Sequence, residues 1–115
     1  GERLEVVSVC SLTVLPGYRL AGDDPSYPGI ARDFCRSVEH LRSLEPDIFL
    51  ASHGSFFGLE GKRKRLESGD RRAFVDPDGY RQWLDRAAER IDSVLHDQGV
   101  TGGCEEVLAA SASVP

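Results

Sequence analysis

Methionine is missing from all 115 residues, and the chain starts with Gly. Translation does not begin at such a residue, so the stretch is expected to be processed or to be part of something longer, with any targeting segment upstream. Long apolar runs are missing too. None approaches the roughly 20 residues that cross a bilayer, and Gly1-Glu2-Arg3-Leu4 has no signal-peptide core. An excess of basic charge is also absent: 14 Lys and Arg stand against 19 Asp and Glu, a net charge of −5. Proteins that bind nucleic acid or anionic membranes attract phosphate with surplus cations, so neither is expected as a partner. Cysteine is scarce and odd in number. Cys10, Cys35 and Cys104 contain no Cys-x-x-Cys pair of the kind found in zinc ribbons or redox motifs, and they allow at most one intrachain disulfide. Cys10 and Cys35 are expected as buried small hydrophobes and Cys104 as a tail thiol. Gly-x-Ser-x-Gly and phosphate-cradling glycine loops are lacking as well, which disfavours a serine hydrolase or a P-loop protein.

What remains is ordinary for one globular domain, with 40% hydrophobic and 29% charged residues. Leu4 to Cys10 is rich in β-branched residues and runs into Leu12-Thr13-Val14-Leu15, which predicts one or two strands with a bend near Ser11. Pro16-Gly17 stops them, and Gly22 to Ser26 is a polar loop. Ile30, Phe34, Val38 and Leu41 have helical spacing, ending near Pro46. Asp47 to Ser52 is a short buried strand, so His53-Gly54 stands where strand gives way to loop. Ser55 to Glu60 is expected as a turn, followed by the basic run Lys62-Arg63-Lys64-Arg65. A last helix is the best marked: Asp76 is a cap, Pro77 takes the first position, and Tyr80, Leu84, Ala87, Ile91, Val94 and Leu95 make one stripe. Residues 99–115, small and polar, are expected as a flexible tail.

His53 is the first candidate for chemistry, because imidazole at a strand end binds zinc or moves protons near neutral pH. The plainer reading is a hydrogen-bonded loop residue. His40 and His96 lie on helices among charged neighbours and read as solvated surface residues. Ser11 and Thr13 alternate, so in an extended segment their hydroxyls share a face and suit a carboxylate; the plainer alternative is a solvated strand edge. For Lys62 to Arg65 the expectation is the exposed face of a short helix.

Four motifs then fall in one order: Ser11-x-Thr13-x-x-Pro16-Gly17-Tyr18, Tyr27-Pro28-Gly29-Ile30, Pro46 to Gly54, and Phe74-Val75-Asp76-Pro77-Asp78-Gly79-Tyr80. Over residues 3–98 the chain resembles the C-terminal half of a metallo-β-lactamase of the third subclass. The resemblance implies an α/β fold, half of an αββα sandwich with a mixed sheet and helices on its outer face, spanning residues 1–98. It implies that His53 matches the last zinc ligand, and that Ser11 and Thr13 match the hydroxyl positions that hold the substrate carboxylate. The family hydrolyses the β-lactam amide with zinc-activated water. Its members are usually periplasmic or secreted. Its His-x-His-x-Asp-His motif and its further zinc-binding His are not in this segment, so no catalytic residue is assigned and the chain alone is expected to be inactive. Pro46 stands where members often have a disulfide-bonded Cys, and Arg72-Ala73 where Asn-Pro is frequent. The expected partners are a β-lactam in the complete enzyme and either the missing N-terminal half or a second copy of the chain. Another zinc hydrolase of the superfamily, or a non-catalytic remnant or interaction module, are the alternatives.

Overall fold

The computed structural model describes residues 2–112. They form β1 (Val6–Val9), α1 (Ile30–Arg42), β2 (Ile48–Ala51), α2 (Gly54–Phe57), α3 (Leu59–Glu67), α4 (Pro77–Asp97) and α5 (Gly103–Ala112). The chain divides into two compact units, residues 1–11 with 44–84 and residues 12–43 with 85–115. The continuous helix α4 gives its first turns to one unit and the rest to the other.

In the first unit β1 and β2 pair in parallel, Val6 opposite Ile48 and Val9 opposite Ala51. A parallel pair needs a crossover, which the intervening chain with α1 supplies. The pairing is pinned at its start by Asp47, whose side chain accepts from the Glu5 amide at 2.9 Å while its own amide donates to the Glu5 carbonyl at 2.9 Å. Phe49 is the centre of this unit, with Phe57 at 6.1 Å, Tyr80 at 5.5 Å and Trp83 at 5.9 Å between ring centroids. Asp76 caps α4 as its position before Pro77 predicts: its Oδ1 accepts from the Gly79 amide at 2.9 Å.

In the second unit α1 buries Ile30, Cys35 and Val38 on one face, and Leu12, Val14, Leu20, Ile91 and Leu95 are buried as well. Gln98 and Gly99 end α4: Gly99 has φ 97°, which costs a residue without Cβ little, and the Val100 amide closes back on the Leu95 carbonyl at 2.8 Å.

Several expectations are corrected. Among the described residues the sheet is a parallel pair, not a mixed sheet. Residues 12–15 join no ladder, although Leu12 and Val14 are buried and Thr13 and Leu15 exposed in alternation, because the strand pairing stops at Val9 and the following segment packs in the second unit. Ser55 to Glu60 is not a turn but the short helix α2 and the start of α3. Residues 103–112 are not a flexible tail: they are α5, joined to α1 by a disulfide between Cys35 and Cys104 with Cα atoms 5.3 Å apart. Cys35 is buried as expected but bonded, Cys104 is no free thiol, and Cys10 is an exposed free cysteine rather than a buried one. The part of the expected tail at residues 113–115 lies outside the described residues.

Candidate functional site

His53 follows the C-terminal end of the parallel pair. One residue beyond the ladder, the Ser52 amide donates to the Cys10 carbonyl at 3.4 Å, and the Ser52 hydroxyl donates to the same oxygen. This bond holds the two chain segments together where Ser11 and His53 begin. His53 has extended backbone, φ −119° and ψ 130°, and its carbonyl accepts from the Phe56 amide at 3.0 Å at the start of α2. Its imidazole stands edge-on to the Phe56 ring, 5.1 Å between centroids, and is exposed. An exposed imidazole on a backbone fixed at both flanks is suited to donating a nitrogen to a metal without reorganising the chain.

Gly54 next to it is dictated by packing. A Cβ there would lie 2.9 Å from Leu59 Cδ2 and 3.0 Å from Leu59 Cβ, so only glycine lets the first turn of α3 come this close. Beside it an open hollow of about 320 Å³ is lined by Gly54, Ser55, Gly58 and Leu59.

Beneath this segment sits Lys62, which the sequence places on an exposed face and the structure buries to 3% exposure. Its Nζ lies 3.0 Å from Asp76 Oδ2 and 5.0 and 5.8 Å from the ring centroids of Phe49 and Phe57. The ammonium is thus held by one carboxylate and two aromatic faces. Burial works against ionisation of Asp76, but the close ammonium of Lys62 and the hydrogen bond from the Gly79 amide, with the field of Arg65, hold its carboxyl below the usual range. Phe49 precedes His53 in β2 and Phe57 follows it in α2, so the cation ties both flanks of His53 to the start of α4. The sequence offers one faint signal for this: Lys62 lies three residues after Leu59 and four before Leu66, on the apolar side of α3.

Ser11 is exposed and belongs to the same unit as His53; Thr13, also exposed, belongs to the other. The structure therefore brings Ser11 and His53 to one end of the sheet. Among the described residues no group of three or more His, Cys, Asp or Glu side chains is placed to hold a metal. A catalytic zinc takes about three protein ligands, and His53 supplies one, so the residues of this chain do not by themselves fit the ion. No described helix is long and apolar enough to cross a membrane.

Solved structures similar to the chain point to one family. FEZ-1 metallo-β-lactamase from Legionella gormanii matches with TM-score 0.72 and 39% identity over 76% of this chain. BJP-1, a subclass B3 enzyme of Bradyrhizobium japonicum, matches with TM-score 0.67 and 27% identity, again over 76%. Over about 76% of its length the chain is thus similar to class B3 metallo-β-lactamases. LRA-12, a class B3 di-zinc metallo-β-lactamase from an Alaskan soil metagenome, matches over 56% of the chain with 35% identity and TM-score 0.51. This B3-like chain spans only 33%, 33% and 25% of the length of these three structures. No protein-family model and no curated protein sequence matches it.

Proposed function

We propose that the chain is the C-terminal portion of a zinc-dependent β-lactam hydrolase and supplies that enzyme with one zinc ligand and part of the substrate site. The observation that carries this is the likeness to FEZ-1 at 39% identity, taken with the position of His53 at the C-terminal end of the parallel strands. In this reading His53 donates its imidazole to the second of two zinc ions, alongside ligands from the remainder of the enzyme. Ser11 and Thr13 donate hydroxyl hydrogen bonds to the substrate carboxylate. Residues 1–98 form one half of an αββα sandwich, and the 115-residue chain alone does not turn over substrate. The Cys35–Cys104 disulfide supports an oxidising compartment, in keeping with a periplasmic or secreted enzyme that confers β-lactam resistance.

The test is His53→Ala in the protein as its gene encodes it. Zinc stoichiometry by elemental analysis should fall by about one ion where two are bound, and β-lactam turnover should drop by about 100-fold or more. Unchanged zinc content and turnover would sink the assignment. Among the described residues His53 stands in no group of three or more metal-ligating side chains, which favours a second reading, a non-catalytic module that keeps the half-sandwich and binds a partner protein. That reading requires partner binding that His53→Ala leaves intact. Hydrolysis of another substrate class by the zinc-loaded protein, with no β-lactam turnover, points instead to a different zinc hydrolase of the superfamily.

A further inference from the structure

We infer that Gln98 is a positioning residue for the substrate side of the molecule, clamping the loop from Tyr18 to Ala21 that continues from Thr13. The inference rests on the β-lactam hydrolase reading above, in which Thr13 binds the substrate carboxylate.

Three hydrogen bonds from one side chain carry it. Gln98 Oε1 accepts from the Leu20 amide at 2.7 Å and from the Ala21 amide at 3.0 Å, while Nε2 donates to the Tyr18 carbonyl at 2.9 Å. The carboxamide acts as a one-residue strand partner, offering donor and acceptor to a backbone that belongs to no sheet. It is mounted on a rigid support, since the Gln98 amide is itself bonded to the carbonyls of Val94 and Leu95 at 3.1 Å each, in the last turn of α4.

The rest of the loop is closed by its own bonds on either side of this point. The Tyr18 amide donates to the Leu15 carbonyl at 3.1 Å across Pro16-Gly17. Arg19 and Ser26 exchange two bonds of 2.8 Å each, and Arg19 Nε donates to the Asp24 carbonyl at 2.6 Å. Gln98 thus fastens the middle of a loop that itself forms neither strand nor helix, and the Tyr18 ring leans on Phe34 of α1, 6.5 Å between centroids. Two apolar side chains are held out here beside the charged Arg19, Leu15 at 51% and Tyr18 at 36% exposure, while Leu20 beside the clamp is buried. Exposed apolar side chains on an ordered loop, next to a residue assigned to the substrate, are a ligand-facing arrangement.

No other side chain replaces Gln here. Asn is one methylene short, Leu offers no polar atom, and Glu keeps the acceptor but turns a carboxylate oxygen toward the Tyr18 carbonyl. A clamp that only positions Thr13 acts equally on bound substrate and transition state, so its loss appears in KM and not in kcat.

The experiment combines amide exchange by NMR with steady-state kinetics on a carboxylate-bearing β-lactam, using the zinc-loaded product of the full gene and its Gln98→Leu and Gln98→Glu variants. In Gln98→Leu, exchange at Leu20 and Ala21 accelerates by about tenfold or more while the central amides of α4 keep their rates, and KM rises about fivefold with kcat unchanged. Gln98→Glu, which still folds the acceptor side, keeps Leu20 and Ala21 protected and falls between the other two in KM. Unchanged exchange in Gln98→Leu overturns the clamp. Faster exchange with unchanged KM overturns its link to substrate. A wild-type protein that turns over no β-lactam overturns the hydrolase reading and the substrate half of this inference, and the exchange rates still decide the clamp.

Discussion

Lys62 carries a positive charge into the aromatic centre of the first unit, where removing it leaves Asp76 without its ion-pair partner and the rings of Phe49 and Phe57 without the cation beside them. Breaking a buried pair is costly, though the half-exposed Asp76 side chain moderates the loss. Lys62→Ala is expected to destabilise by about 3 kcal/mol, read as a lower midpoint in urea unfolding. Asp76 sets a pH dependence of known sign. Its folded pKa lies below the ordinary value of 3.8, so its contribution is complete above that pH and is lost as pH falls through the folded value. Asp76→Asn should be less stable than wild type at pH 7, and its stability should fall less between pH 5 and pH 2; equal slopes in acid titrations followed by circular dichroism would refute this. His53 was legible in the sequence because a strand followed by His-Gly needs only neighbours along the chain. Lys62 and Gln98 were not, since their partners lie far off in sequence, Asp76 for the one and the loop from Tyr18 to Ala21 for the other.

At the scale of elements, α1 and α4 follow from their apolar spacing, and α4 also from its Asp76-Pro77 start. The helix α5 is different. Gly103 to Ala112 has little amphipathic pattern, and its attachment to α1 comes from the disulfide across 69 residues. Closing a loop of that length stabilises by up to about 4 kcal/mol through the unfolded chain. Cys104→Ser is expected to lower the melting temperature in calorimetry and to speed amide exchange in α5 while β1 and β2 keep their protection. The Cys104 amide bond to Asp92 Oδ1 at 2.8 Å stays behind as a weak tether. Three cysteines fix only that one disulfide fits, and spacing alone does not choose its members; the packing of α1 and α5 does.

For the whole molecule the decisive fact is that the two-stranded sheet of the described residues leaves apolar surface in water, with Val6 54% exposed on β1. Strands with unpaired edges seek partners. The 115-residue chain is expected to sediment as a dimer or larger species; a monodisperse monomer with one cooperative melt would count against the half-sandwich. The intact mass of the native protein, against 12.6 kDa for this chain, tells whether the other half is on the same polypeptide. By itself the sequence determined the order of the main strands and helices, the cap of α4, the family likeness and the place of His53, because each depends on periodicity or on residues adjacent in the chain. Only the tertiary structure decided the parallel register, the buried cation, the disulfide pair and the Gln98 clamp. Those are contacts between segments far apart in sequence, and they form only when chain folding sets distant backbone and side-chain groups within bonding range.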